Sequence, residues 1–163
     1  MACEIERKFL LLDSSWRAAA QAPRRLVQGY FDSSRGYTLR VRDDGGVGKL
    51  TIKGRATGYS RSEFEYTIPL GDVEAMLREF CLPRVVEKLR YLVDHEGFTW
   101  EIDEYLGANA GLFTAEIELP TADAEFARPP WLGEEISGIP RYTNAALSRV
   151  PFGSWSDPAD DPR

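Results

Sequence analysis

The chain is short of histidine and cysteine: His95 is its single imidazole, and Cys3 and Cys81 are its two thiols. One histidine argues against histidine-based metal centres and histidine-dependent triads. The two cysteines lack metal-type spacing and read as free thiols of a reducing cytoplasm. No apolar run approaches the ~20 residues of a membrane-spanning helix, and the N-terminus lacks the basic-then-apolar layout of a signal peptide. A glycine-rich phosphate loop is also missing, so any phosphate must be bound by side chains rather than a helix N-terminus. The formal net charge of −6 lacks the basic excess of a general nucleic-acid binder. These absences leave a cytoplasmic protein with neither nucleic acid nor membrane as partner, monomeric or homodimeric. With 163 residues, 43% of them hydrophobic and 28% charged, the chain fits one globular domain over residues 1–152. An acidic, proline-rich stretch, 153–163, reads as a flexible tail.

What the chain has instead is a repeated pattern. In Glu4-Ile5-Glu6-Arg7-Lys8-Phe9-Leu10, strand alternation puts Glu4, Glu6 and Lys8 on one face and Ile5 and Phe9 on the other. The pattern recurs with Arg40 and Arg42 against Leu39 and Val41, and with Lys49, Thr51 and Lys53 against Leu50 and Ile52. It recurs again with Glu63 and Glu65 against Phe64 and Tyr66, Lys88 and Arg90 against Leu89 and Tyr91, Glu101 and Asp103 against Trp100 and Ile102, and Glu116 and Glu118 against Ala115 and Ile117. An eighth strand is expected over 25–32, where Gln28 and Tyr30 share a face and their access to an interior is left open. Asp43 to Gly46 signals a hairpin. Helices are expected over 14–21, 71–80 and 141–148, with a helical turn near 123–126 and a rigid Pro129-Pro130-Trp131 connector.

Hairpin-like connections without βαβ units argue for antiparallel pairing. Two architectures fit: a sheet or sandwich with its charged face in water, or a sheet closed into a barrel with a charged lumen and helices outside. The second is favoured. The charges are sorted by strand into acidic and basic pairs, whereas solvated faces mix them. The apolar faces carry more bulk than a single thin sheet buries. A lumen of both signs is tolerable only with a ligand or ion inside it, because unpaired buried charges are costly. Arginine forks and lysine ammoniums suit phosphate oxygens, and carboxylates suit Mg²⁺ or Mn²⁺. A metal-complexed polyphosphate matches both sets.

The ordered set Glu4-x-Glu6-x-Lys8, Arg40-x-Arg42, Lys53, Glu63-x-Glu65, Lys88-x-Arg90, Glu101-x-Asp103 and Glu116-x-Glu118 resembles the CYTH superfamily of triphosphate tunnel metalloenzymes over residues 2–150. Within it, the chain most resembles the short bacterial inorganic triphosphatases. The resemblance implies a mainly β fold, a closed eight-stranded antiparallel β-barrel tunnel. It also implies metal-dependent hydrolysis of triphosphate to pyrophosphate and phosphate. Glu4, Glu6, Glu116 and Glu118 would hold Mg²⁺ or Mn²⁺, with Glu116 and Glu118 also orienting the attacking water. Lys8, Arg40, Arg42, Lys53, Lys88 and Arg90 would bind substrate, Lys88 also donating a proton to the leaving group. Glu63, Glu65, Glu101 and Asp103 would support the basic residues. The fourth strand departs from the family: where Lys-x-Lys is usual, only Lys53 is present, after Thr51. Thiamine or nucleoside triphosphatase, adenylate cyclase and a non-catalytic polyphosphate-binding module are the alternatives.

Overall fold

The computed structural model describes residues 5–32, 36–55, 62–121 and 123–155. Glu4 and Cys3 lie outside them, as do residues 156–163, most of the expected tail. Nine strands form one antiparallel sheet: β1 Ile5–Leu11, β2 Arg24–Tyr30, β3 Thr38–Asp44, β4 Val47–Lys53, β5 Glu63–Ile68, β6 Val85–His95, β7 Phe98–Tyr105, β8 Phe113–Leu119 and β9 Leu132–Glu135. Their order is β5-β4-β3-β2-β6-β7-β8-β1-β9.

This corrects the expected closed barrel of eight strands. The ninth strand, β9, lies just past the predicted rigid connector and pairs with β1 through Phe9↔Glu135 and Leu11↔Leu132. It thereby occupies the edge of β1 that a closing strand would need. Among the described residues no ladder joins β5 to β9, so the sheet keeps two edges. β1 and β8 are neighbours, with Glu6 opposite Glu118 and Lys8 opposite Glu116. The first and last of the charged strands therefore do come together.

Period-two alternation decides which face is buried where. Phe9, Trp100, Ile102, Ala115 and Ile117 face outward from the charged side and are sealed with Trp16, Trp131 and Leu132. Trp100 meets Phe9, Phe126 and Trp131 edge-on at 5.5–5.8 Å between ring centroids, contacts worth ~0.5–1.5 kcal/mol each beyond their area. The 3-10 turn Ser15–Ala19 brings Trp16 into this layer, in place of the predicted helix over 14–21. A second layer, Val41, Val73 and Cys81, lies under α1, Leu70–Met76, and the wider π turn Leu77–Cys81 that continues it. Gly29 permits that approach: a Cβ there would lie 2.5 Å from the Cβ of Cys81. Cys81 is a buried free thiol. Phe64 and Tyr66, expected under cover, are instead exposed on the edge strand β5.

The β3–β4 hairpin turns through Gly45 and Gly46, both at positive φ, the backbone that a two-residue turn requires. A third apolar cluster, Val86, Tyr105, Leu112 and Leu147, closes one end of the charged face. Its cover is the 3-10 turn Pro140–Tyr142, α2 Asn144–Leu147 and the turn Phe152–Ser154, with Trp155 packed edge-on to Tyr142 and Phe152. Thr143 caps α2, its Oγ1 accepting from the Ala146 N–H at 3.2 Å. Among the described residues no helix is long and apolar enough to cross a membrane.

Candidate active site

The concave face of the sheet encloses a cavity of about 760 Å³, within the range of small-molecule sites. Eleven of the fourteen residues singled out from the sequence line it: Glu6, Lys8, Arg40, Arg42, Lys53, Glu63, Glu65, Arg90, Glu101, Glu116 and Glu118. Cross-strand register explains the convergence, because directly opposed residues share a face. Lys8 opposes Glu116, which opposes Glu101, and Arg90 opposes Asp103. On the other side Gln28 opposes Arg42 and Tyr30 opposes Arg40, with Lys53 opposite Glu63.

The β6–β7–β8–β1 wall is rich in carboxylates. Lys8 Nζ lies 2.9 Å from Glu116 and donates to the Tyr142 carbonyl at 3.2 Å. Burial works against this ammonium, but Glu116, Tyr105 and Asp103 together outweigh it and hold the Lys8 pKa well above the ordinary value. Burial would likewise push the Glu116 carboxyl up, yet Lys8, Lys88 and Arg90 keep it below its usual value. Arg90 grips Asp103 bidentately, Nε to Oδ1 at 2.7 Å and Nη2 to Oδ2 at 2.8 Å, and also reaches Glu101 and Glu116.

Lys88 and Asp103 are brought to the site but lie beneath its surface. Both are fully buried, and the Lys88 ammonium is bonded to Asp103. Arg90, not Lys88, presents the strand's charge to the cavity. Burial first, then competition from Arg90, brings Lys88 down to about 7 against the pull of Asp103. Flanked by two cations, Asp103 is held far below the usual carboxylate range despite its burial.

The β2–β5 wall is arranged differently. Lys53 pairs with Glu63 at 2.8 Å, and Lys49 bridges Asp44 and Glu65 at 3.5 and 3.1 Å. Lys49 is not among the side chains lining the cavity. Arg40 is held by Thr51 Oγ1 at 3.0 Å and by Glu65 at 3.5 Å, and Thr51 donates to Glu65 at 3.1 Å. Thr51 thus bridges an arginine to a carboxylate. Arg40 Nε is buried without a hydrogen-bond partner. Arg42 makes no ion pair among the described residues; its Nε donates to Gln28 Oε1 at 2.9 Å. Burial, with Arg40 and Arg90 nearby, lowers the Arg42 pKa to about 10, so it remains charged at neutral pH.

Sequence reading missed the turn after β9, whose Ile136, Ser137 and Gly138 line the cavity, together with Thr38 and Thr99. Leu132-Gly133-Glu134-Glu135 shows no period-two pattern, its burial running buried, buried, exposed, half-buried, so no local signal marked β9. Tyr142, Thr143 and Asn144, from the expected C-terminal helix, line one end.

The lining is chemically two-sided: carboxylates (Glu6, Glu101, Glu116, Glu118) outnumber cations (Lys8, Arg90) on one wall, and cations (Arg40, Arg42, Lys53) outnumber carboxylates (Glu63, Glu65) on the other. Oxygen-only donors fit a divalent cation such as Mg²⁺ or Mn²⁺. No ion pair among the described residues claims Glu118, opposite Glu6. Three described carboxylates do not, however, close on one point, and Glu4, the further expected ligand, lies outside the described residues.

An antiparallel sheet whose concave face is lined by sorted charges defines a class of side-chain polyanion sites. Comparison with known proteins makes the assignment: the CYTH domain matches residues 2–146, and the chain belongs to that family. It is 43% identical to an inorganic triphosphatase of Acetivibrio thermocellus, over 96% of this chain and all of that protein. It is 36% identical to an inorganic triphosphatase of Nitrosomonas europaea, over 89% of this chain and 96% of that one. The crystal structure of the inorganic triphosphatase NE1496 superposes with a TM-score of 0.66 at 34% identity, over 91% of this chain and 95% of that one.

Proposed function

We propose that this protein is a metal-dependent inorganic triphosphatase, cleaving triphosphate to pyrophosphate and phosphate. The observation that carries the reading is the sorting of the cavity into a carboxylate wall and a basic wall holding Arg42 without a counter-charge. Its relatives named inorganic triphosphatases support it.

Glu6, Glu116 and Glu118, joined by Glu4, would hold a divalent cation. When bound, that cation supplies Lewis-acid polarisation of phosphate oxygens and a lowered pKa for coordinated water. The chain's own residues do the rest. Arg40 and Arg42, which line the cavity, bind phosphate oxygens. Lys8 and Lys53 offset charge on the transferring phosphoryl group and the leaving pyrophosphate, as positioned cations do in phosphoryl transfer. Lys88 and Asp103 fix Arg90 from below, because the carboxylate holds both cations in one geometry. Glu63 and Glu65 hold Lys53 and Arg40 extended.

Purified protein incubated with tripolyphosphate, ATP or thiamine triphosphate and Mg²⁺ or Mn²⁺ should release phosphate fastest from tripolyphosphate. Tight tripolyphosphate binding without release from any substrate would sink the enzyme reading and leave a binding module. Cyclic AMP and pyrophosphate formed from ATP would establish a cyclase instead.

A further inference from the structure

The cations that line the cavity are matched to carboxylates with one exception. Lys8, Lys53 and Arg90 are ion-paired, and Arg40 reaches Glu65. Arg42, about as buried as Arg90, is anchored by the neutral amide of Gln28, a fully buried residue directly opposite it in the β2–β3 ladder.

The orientation of that amide follows from donor and acceptor chemistry. A guanidinium only donates, so the amide oxygen must face Arg42, and the amide nitrogen is left to donate. It does so to the Tyr30 hydroxyl oxygen at 2.6 Å. Tyr30, which lines the cavity, therefore accepts from Gln28 and has its own proton left to give. With Arg42 Nε engaged, its two terminal nitrogens are left for a pair of phosphate oxygens, the geometry in which arginine binds phosphate best.

We propose that Gln28 is a positioning residue for triphosphate binding, holding the Arg42 guanidinium and the Tyr30 hydroxyl toward the substrate without neutralising the arginine. The inference rests on the triphosphate reading above. A carboxylate at this position would hold Arg42 equally well and cancel its charge. An apolar side chain would leave the charge and lose the orientation. Only a neutral acceptor that also donates does both tasks, which accounts for an amide buried between two polar partners.

The test uses full-length protein, with tripolyphosphate binding measured calorimetrically in EDTA alongside steady-state hydrolysis. Q28M should weaken binding about 10-fold and Q28E more, in line with loss of an oriented charge-assisted contact. The loss should fall on KM more than on kcat. In an R42M background, Q28M should add no more than about threefold, the share carried by Tyr30, because positioning through Arg42 has nothing left to act on. Y30F should cost about threefold, the size of one neutral hydrogen bond. Thermal unfolding identifies folded variants, and Q28E, which keeps the acceptor, serves if Q28M does not fold. Q28E that binds like wild type overturns the proposal, as does a full Q28M effect in the R42M background. Wild-type protein that neither binds nor hydrolyses tripolyphosphate overturns the triphosphate reading and this inference with it. Active wild type with an unaffected Q28E overturns the role of Gln28 alone.

Discussion

The two walls of the cavity are built from the same residue types on the same kind of strand, yet they are wired oppositely. On the β6–β1 wall, Lys8, Lys88 and Arg90 stand among five carboxylates and are ion-paired to three of them, Glu101, Asp103 and Glu116. On the β2–β5 wall, Arg40, Arg42, Lys49 and Lys53 face only Asp44, Glu63 and Glu65, and Arg42 is tied to an amide. Burying an ionised group without a partner costs several kcal/mol, so the second wall stores a demand for an anion. The first wall, with carboxylates in excess, stores one for a cation. A metal-bound triphosphate meets both demands at once.

The contrast breaks most easily at its acidic end. Glu118→Gln should lower metal-dependent phosphate release at least about 100-fold, the scale of losing a ligand that positions charge at the reacting centre. The unfolding midpoint should hold, since Glu118 is exposed. Undiminished turnover across a metal titration would show that the carboxylate wall is not where the cation sits.

The basic wall predicts unequal cations. Arg42→Met should raise KM for tripolyphosphate roughly 10- to 100-fold, corresponding to a charge-assisted contact of about 1.5–3 kcal/mol. Lys49→Met should change it less than about threefold, because Asp44 and Glu65 already occupy that ammonium. Equal effects of the two substitutions in steady-state kinetics would remove the distinction between matched and unmatched cations.

The smallest effect concerns the buried end of the carboxylate wall. The folded-state pKa of Lys88 is about 7, below the ~10.4 of an unfolded lysine. Between those values the unfolded chain binds the extra proton, so stability rises with pH from about 7 upward; below 7 both states are protonated and the penalty is complete. Denaturant unfolding of substrate-free protein at pH 7 and pH 9 should show this rise, and Lys88→Met should flatten it. The same slope in both proteins would mean that Asp103 keeps the ammonium charged throughout.

Much of this was legible in residue order. The sorted charges marked seven of the nine described strands, because a strand with one apolar face must alternate, and β2 was read without them. The same pairs marked the cavity lining, since opposed strands in register superimpose their charged faces. Strand β9 escaped notice: it has four residues, follows two prolines, and shows its glutamates consecutively rather than alternately. Its pairing with β1 left the sheet with two edges where a closed barrel was expected. Lys88 looked like any lumen lysine, but it lies buried with its Nζ over the ring of Tyr105, directly opposite it, at 5.5 Å, which no local pattern reports.

The sequence alone determined which face of each strand is charged, that acidic and basic strands are segregated, and hence the chemistry of the ligand. Those follow from alternation, a property of the strand itself. Only the tertiary structure decided which charges cancel. Arg42 and Arg90 are indistinguishable as arginines on strands, but ladder register sets one opposite Gln28 and the other opposite Asp103. Electrostatic energy depends on distance and burial, and both are fixed by strand order rather than by any single segment.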